Sequence, residues 1–211
     1  MKDPGFAKFV VLVNGSVPLA ILCWDAYWHQ LGANPVTFAL RTTGMLALVF
    51  LTLSLSVTPL RKISGWNYFS NFRRMLGLYA FFYGCLHLLT YFAFDRSLDL
   101  GSTVNDVIKR PFILVGMTAL LLMVPLALTS TNAMIKRLGA ARWKRLHRLA
   151  YVSAIAGVLH YYLLVKADIR QPVAFACVLA ILLGYRVVGD RIPSFRKKAP
   201  AVRMAVPKIG A

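Results

Sequence analysis

The sequence contains no glutamate, and its seven acidic residues are all aspartates, set against 25 lysines and arginines. Only three cysteines occur, Cys23, Cys85 and Cys177, and none belongs to a Cys-x-x-Cys or Cys-x-x-Cys-His motif. Covalent c-type haem attachment, thiolate metal clusters and a disulfide framework therefore lack their ligands. No Gly-x-Gly-x-x-Gly motif occurs either, which argues against a nicotinamide-binding domain within the chain.

Long apolar blocks make up most of the sequence. Hydrophobic residues account for 58% of the 211 positions, with a mean hydropathy of +0.62, whereas soluble domains are about 45–50% apolar. A helix needs about 20 residues to cross the hydrocarbon of a bilayer. The chain therefore predicts an all-α membrane protein, a bundle of six transmembrane helices. The predicted spans are Phe6–Trp28, Thr37–Thr58, Phe72–Phe94, Phe112–Ser130, Leu149–Lys166 and Pro172–Val188.

The basic residues predict the orientation of this bundle. They are dense between spans two and three, between spans four and five, and after span six, and sparse in the other loops. Cytoplasmic loops are enriched in lysine and arginine, so an even number of spans with both termini in the cytoplasm is expected. Topology and contact with anionic membrane lipid explain the formal charge of +18, and we expect no nucleic-acid binding.

We divide the chain into a membrane domain, residues 1–190, and a basic cytoplasmic tail, residues 191–211. The tail contains Pro193, Pro200 and Pro207 among its lysines and arginines. Such a composition predicts a disordered or lipid-associated extension. No internal repeat and no second folded domain are apparent.

Two histidines, His87 and His160, lie within predicted spans three and five. Both spans run outwards from the cytoplasm, and the rise per residue places the histidines about 22 Å and 16 Å from the inner ends. Both therefore lie in the outer half of the membrane. Ionisable residues inside a bilayer are rare and usually functional. Two neutral imidazoles at matched depth can bind a haem iron from both faces, so this pair is the main predicted site.

Each of these histidines ends a stripe of small residues at helical spacing. Small residues also allow close packing of membrane helices, which would explain the stripes but not the imidazoles. The stripes are Gly77, Ala80 and Gly84 before His87, and Ser153, Ala156 and Gly157 before His160.

His147 lies about 20 Å below His160, at the cytoplasmic edge, and on an ideal helix it would face another direction. Two interpretations stay open, an interfacial residue in a basic loop or a ligand of a second haem with an unusual or absent partner. Arg73 and Arg74 lie at the matching depth of span three. They could pair with haem propionates, approach the iron or bind a flavin phosphate. His29 is predicted to be an interfacial polar residue, with contact to a partner or quinone as the alternative.

Several motifs, taken together, resemble those of the MsrQ (YedZ) family, within the ferric-reductase-like transmembrane group. They occur in order and at family-like spacing, and the likeness covers about residues 30 to 190. The motifs are TPL at 58–60, RRMLGL at 73–78, LHL at 86–88, KRP at 109–111, LTSTNAM at 128–134, RWKRLHRLAY at 142–151, LHY at 159–161 and VKAD at 165–168.

The resemblance implies a six-helix bundle in the bacterial inner membrane that binds b-type haem, one or two per chain. It implies electron transfer from the quinone pool to a periplasmic molybdopterin-containing methionine sulfoxide reductase, which repairs oxidised proteins. FMN is a possible further cofactor. The important histidines of the family correspond to His87, His147 and His160, and its paired arginines to Arg73 and Arg74. Met45 departs from the family pattern, which has an aromatic or basic residue there.

Two other functions stay open. A ferric reductase or oxidase-type membrane cytochrome would need a separate flavin reductase chain. A transporter would use charges within the membrane or broken helices, and Asp25 is the only aspartate well inside a predicted span. On the favoured hypothesis the chain is the electron-transfer subunit of an oxidoreductase complex rather than its substrate-reducing subunit.

Overall fold

The computed structural model describes residues 4–189, and within that range the chain is helical and contains no β-strand. The predicted tail, residues 191–211, lies outside the described residues. A 3-10 turn, Asn67–Asn71, precedes the third helix, and a π-helical segment, Tyr91–Asp95, follows it. The helices are α1 (Pro4–Tyr27), α2 (Pro35–Ser64), α3 (Arg73–Thr90), α4 (Leu100–Lys109), α5 (Pro111–Leu128), α6 (Asn132–Leu138), α7 (Ala140–Leu146), α8 (Leu149–Leu164) and α9 (Arg170–Gly189).

Among the described residues, five helical segments are long and apolar enough to cross a membrane. Each coincides with a predicted span, so the all-helical membrane architecture is confirmed. The fifth predicted span is α8, which has only 16 residues and is shorter than these segments. The five segments are Gly5–Tyr27, Pro35–Ser64, Arg73–Asp95, Pro111–Leu128 and Arg170–Val188.

Local sequence explains where α2, the longest helix, begins and ends. Asn34 caps its first turn by accepting a hydrogen bond from the Thr37 amide at 3.1 Å, and Pro35 occupies the first turn, where it is favoured. Gly65 ends the helix in the left-handed conformation, with φ 73°, and its amide donates to the Arg61 carbonyl. The 30 residues of α2 span about 45 Å, longer than the hydrocarbon core of a bilayer.

The bundle is built from two closely packed helix pairs, α2 with α3 and α5 with α8. The pairs meet along a seam where α3 contacts α5 and α2 contacts α8, and α9 covers α8 and α2. Leu55, Ala80 and Ala154, at most 1% exposed, lie at the centre of the core. On α3, Tyr83 is fully buried and its hydroxyl donates to the Gly15 carbonyl of α1 at 2.7 Å.

The described aspartates lie at one end of the bundle, and the dense clusters of lysine and arginine lie at the other. The acidic end carries the α1–α2 loop, the connection from α3 to α5 and the α8–α9 loop. The basic end carries the α2–α3 connection and the short helices α6 and α7. This separation agrees with the charge pattern used to predict the topology. The described aspartates of the acidic end are Asp25, Asp95, Asp99, Asp106 and Asp168.

Helix α4 occupies the region between the third and fourth predicted spans, where the sequence suggested only an outer loop. Asp106 of α4 is buried and accepts a hydrogen bond from the Tyr91 hydroxyl at 2.8 Å. The same carboxylate pairs with Arg96 at 2.5 Å and Arg110 at 3.3 Å. This network ties α4 to the end of α3 and so fixes the acidic end of the helix that carries His87.

Candidate functional site

The structure brings His87 of α3 and His160 of α8 together in the seam between the two helix pairs. Their ring centroids are 6.1 Å apart and the ring planes are inclined by 79°. Both side chains are half-buried. They lie near the acidic ends of their helices, three residues before Thr90 and four before Leu164.

A main-chain carbonyl orients each imidazole. The His87 Nδ1 lies 3.0 Å from the Leu40 carbonyl oxygen of α2, and the His160 Nδ1 lies 2.6 Å from the Phe112 carbonyl oxygen of α5. A carbonyl only accepts hydrogen bonds, so each Nδ1 carries the proton and donates it. The lone pair of each neutral ring is therefore on Nε2, for which the described residues provide no hydrogen-bond partner.

A glycine four residues after each carbonyl makes room for the ring. A Cβ on Gly44 would lie 3.1 Å from the His87 Nδ1, and a Cβ on Gly116 would lie 2.6 Å from the His160 Nδ1. Residues four apart share a helix face, so each ring passes over a glycine to reach the carbonyl one turn away. We call Leu40 with Gly44, and Phe112 with Gly116, the two imidazole seats.

The paired imidazoles fit a single metal ion bound between them. A metal–imidazole bond is about 2 Å long, so two nitrogens that share one ion lie about 4 Å apart. Each ring centroid lies beyond its nitrogen by roughly one ring radius. The observed centroid separation of 6.1 Å agrees with that arrangement. Metal-bound histidines usually donate their other ring N–H to a carbonyl or carboxylate, and both rings donate to a carbonyl here.

The two small-residue stripes serve helix packing in this fold. A Cβ on Gly84 would lie 2.9 Å from Leu120 of α5, and one on Gly157 would lie 3.5 Å from Leu48 of α2. The buried Ser153 hydroxyl donates to the Ala119 carbonyl at 2.8 Å. Helix packing thus accounts for the glycines, whereas the imidazoles require another explanation.

A cavity of about 170 Å³ lies at the basic end, on the same helices as the histidine pair. Its lining includes Arg73, Arg74 and Gly77 of α3, together with Trp143 and His147. On α3, Arg73 and His87 are 14 residues apart, or about 21 Å. The structure therefore separates the residues predicted for cofactor binding into two groups, one at each depth.

His147 lies between α7 and α8, where the helical path is interrupted. Its ring stacks on Trp143 with centroids 3.8 Å apart, and its Nδ1 donates to the Trp143 carbonyl at 3.1 Å. The Nε2 atom is buried and has no hydrogen-bond partner among the described residues. Burial lowers the pKa of His147, so the neutral ring predominates at neutral pH. A buried lone pair beside a cavity suits a metal ligand or a hydrogen-bond acceptor for a cofactor.

The arginines at the basic end lie close together without a described carboxylate. Arg74 is exposed and donates to the Asn132 side chain at 2.6 Å. Arg73 is half-buried beside Tyr151 and Arg186. Arg186 of α9 donates to the Leu55 carbonyl at 2.8 Å and to the Tyr151 hydroxyl. Because like charges repel, an anionic group in this cavity would be strongly favoured.

Two of these features have no signal in the sequence, the imidazole seats and the burial of Arg186. The imidazole seats depend on which helices pair. Gly116 lies in an apolar run whose sequence predicts only a membrane span. Arg186 counts among the basic residues after the last span unless its burial is known. His29 is exposed in the α1–α2 loop, in a left-handed conformation with φ 55°, and does not join the other histidines.

Comparison with known proteins agrees with this architecture. The profile of the family described as ferric reductase like transmembrane component matches residues 40–158. The chain is 48% identical over 182 residues to a protein of Herminiimonas arsenicoxydans, covering 85% of this chain and 84% of the relative. It is 53% identical over 182 residues to a protein of Ralstonia nicotianae, with the same coverage of 85% and 84%.

A protein of Azospira oryzae is 56% identical over 160 residues, covering 75% of this chain and 69% of the relative. All three relatives are named protein-methionine-sulfoxide reductase heme-binding subunit MsrQ. At this identity and coverage, the predicted resemblance is confirmed. The chain therefore belongs to the MsrQ family, within the ferric-reductase-like transmembrane proteins.

Proposed function

We propose that this chain is the membrane electron-transfer subunit of a methionine sulfoxide reductase system in the bacterial inner membrane. It carries electrons from the quinone pool, through b-type haem, to a periplasmic molybdopterin-containing catalytic subunit that repairs oxidised proteins. The names of its relatives support the system and the cofactor. We further propose six spans, with α8 as the fifth, and both termini in the cytoplasm, because the basic end is then cytoplasmic.

The pairing of His87 with His160 is the observation that carries this proposal. When bound, haem iron supplies a one-electron couple, and two imidazole ligands leave no open position for oxygen or substrate. Two histidine ligands would therefore favour electron transfer over catalysis at the iron. The chain's own contribution is to bind each Nδ1 proton to a carbonyl, of Leu40 or Phe112, which leaves the lone pair of each ring on Nε2. The pair lies near the acidic end, which this topology places beside a periplasmic partner.

We also propose that the cavity at the basic end binds a second cofactor, either a second b-type haem or FMN. His147 offers a buried, unpartnered Nε2, and Arg73 and Arg74 offer cations for propionates or a phosphate. The absence of a described aspartate at this end supports an anionic ligand. In the proposed topology this cavity lies on the cytoplasmic side, about 21 Å along α3 from the histidine pair.

His147→Ala should remove the inner cofactor and leave the histidine-pair haem in place. We expect haem or FMN per chain to fall by about one equivalent, because the buried ligand atom is lost. Haem and flavin would be quantified in the purified protein. His29→Ala removes an exposed histidine and serves as the control, with unchanged cofactor content. Equal haem and flavin content in both variants would show that His147 is a structural residue.

The electron-transfer role is tested by reduction and reoxidation in proteoliposomes. We expect a quinol analogue to produce the reduced haem spectrum. Added catalytic subunit with methionine sulfoxide should then restore the oxidised spectrum. Reduction only by a flavin reductase with a nicotinamide cofactor would favour the ferric-reductase alternative. Reduction without reoxidation by the catalytic subunit would contradict the proposed partner.

A further inference from the structure

The short helix α4 has its polar residues buried and its apolar residues exposed. Thr103 and Asp106 are each 8% exposed. Leu100, Val104 and Ile108 are 68%, 56% and 74% exposed, and their spacing of four residues places them on one face. A helix whose outer side meets water has the opposite arrangement, with its apolar face towards the core. The apolar face of α4 therefore needs an apolar environment that the described residues do not provide.

Polar contacts with the rest of the bundle fix α4 in this orientation. The Asp106 carboxylate accepts a hydrogen bond from the Tyr91 hydroxyl at 2.8 Å. It also pairs with Arg96 at 2.5 Å and with Arg110 at 3.3 Å. Hydrogen bonds to charged groups are among the strong ones in proteins. Rotation of α4 would separate Asp106 from these partners, so the apolar face is held outward.

A turn with strained backbone holds the beginning of α4 against the end of the third span. Ser97 and Leu98 have φ angles of 51° and 63°, which residues other than glycine rarely adopt. The Leu98 amide donates to the Phe92 carbonyl at 2.9 Å, and the Asp99 amide donates to the Arg96 carbonyl at 2.9 Å. The place of α4 at the acidic end is therefore fixed by main-chain bonds as well as by Asp106.

The length of α5 indicates the depth of α4 relative to the bilayer. Helix α4 ends at Lys109, and the candidate span Pro111–Leu128 begins two residues later. The 18 residues of α5 rise about 27 Å, and the hydrocarbon core is about 30 Å thick. A span of this length crosses the hydrocarbon only if its first residue lies at the boundary with the headgroups. The last turn of α4, which contains Ile108, therefore lies at that boundary.

A cation at the end of α4 suits the same depth. Lys109 is exposed and directly follows Ile108. Lysine packs its methylene groups on apolar surface while its ammonium group stays with water or phosphate. Helices that lie in the headgroup region combine an apolar face with lysine or arginine in this way. A protein partner could also cover an apolar face, but the bilayer reaches α4 whether or not a partner is bound.

We propose that α4 is an interfacial helix, and that its face formed by Leu100, Val104 and Ile108 lies in the bilayer at the boundary between acyl chains and headgroups. The partner of this surface is the lipid of the leaflet at the acidic end, and Lys109 lies among its phosphates. The inference goes beyond the proposed function, because it requires neither bound haem nor a catalytic subunit.

Spin labels on α4 test the lipid contact in liposomes of phosphatidylethanolamine and phosphatidylglycerol. A chain with its three cysteines replaced by alanine receives one new cysteine at a time. Val104→Cys and Ile108→Cys report on the apolar face, and Asn105→Cys, at an exposed position on another face, is the matched control. Power-saturation EPR measures collisions with oxygen, which concentrates in lipid, and with a water-soluble nickel chelate. We expect oxygen collisions to exceed nickel collisions at positions 104 and 108, and the reverse at position 105.

Frequent nickel collisions at positions 104 and 108 would overturn the inference, because the face would then lie in water. Nickel collisions that disappear only when the catalytic subunit is added would also overturn it and would identify α4 as a docking surface for that subunit. Few collisions with either reagent in the chain alone would overturn it in favour of contact between two copies.

A second measurement uses the wild-type chain, in case the cysteine-free chain does not fold. The protein is reconstituted with phospholipids that carry a photoactivatable diazirine in the upper part of an acyl chain, and mass spectrometry locates the adducts. Adducts on the peptide that contains Val104 and Ile108 support the lipid contact. Adducts on the membrane spans with none on α4 contradict it.

Discussion

Replacing either His87 or His160 by alanine should remove the haem held between α3 and α8, with less than a tenth of the wild-type occupancy remaining at that site. The two Nε2 atoms are the ligands we assign to one iron, and the rings are 6.1 Å apart. Neither ring has a substitute nearby, because the described residues contain no group of three or more histidines, cysteines or carboxylates that could hold a metal ion. Haem per chain and the reduced absorption spectrum measure the loss.

His29→Ala is the matched control for these two variants, since it removes an exposed imidazole outside the seam. It should keep wild-type haem content. If an inner haem is also present, the His87 and His160 variants should retain it, and the remaining spectrum should be the same in both. Full occupancy in both alanine variants would refute the assignment of the pair as iron ligands.

Gly116→Ala should displace His160 and weaken haem binding although it changes no ligand. The new Cβ would lie 2.6 Å from the His160 Nδ1, closer than atoms approach in proteins. The ring must move away from the Phe112 carbonyl, or α5 must move away from α8. Forced overpacking costs about 1–3 kcal/mol, which corresponds to haem binding about five- to 150-fold weaker. Haem retention during purification and transfer to apomyoglobin measure the effect.

Glycines elsewhere in the bundle provide a graded series for comparison. Gly44→Ala should have a milder effect, because its Cβ would lie 3.1 Å from the His87 ring. Gly157→Ala would make an ordinary contact at 3.5 Å, and Gly184→Ala would meet no atom within 4 Å. Both should retain wild-type haem. Equal haem retention in Gly116→Ala and Gly184→Ala would show that the imidazole seats do not control ligation.

The matched depth of His87 and His160 was predictable because it depends on each helix separately. Hydropathy locates the spans, the loop charges give their directions, and a constant rise per residue gives depth. His87 and His160 lie on helices with the same predicted direction, so their relative depth does not depend on loop conformation. The structure brings the two rings together, with centroids 6.1 Å apart, and their role as iron ligands stays a prediction.

The imidazole seats were not predictable because they depend on which helices pair. Nothing in the sequence indicates that His87 of α3 packs against Gly44 of α2, or that His160 of α8 packs against Gly116 of α5. The burial of Arg186 beside Tyr151 likewise depends on how α9 packs. Helix α4 was hidden because its ten residues are too short and too polar to resemble a span.

The direction of the His147 side chain could not be predicted from an ideal helix. A continuous helix would turn His147 away from the face of His160, which left its role open. The helix is interrupted between α7 and α8, at His147 and Arg148, so the direction of the His147 ring does not follow from the geometry of a continuous helix. It stacks on Trp143 and lines the basic-end cavity with Arg73 and Arg74.

The most direct test of the central claim is an absorption spectrum of the purified wild-type protein, oxidised and then reduced with dithionite, with haem quantified per chain. We predict a sharp reduced α band of b-type haem and at least one haem per chain, lost from the histidine pair in His87→Ala and His160→Ala. A folded protein from haem-replete cells without a Soret band would contradict the account.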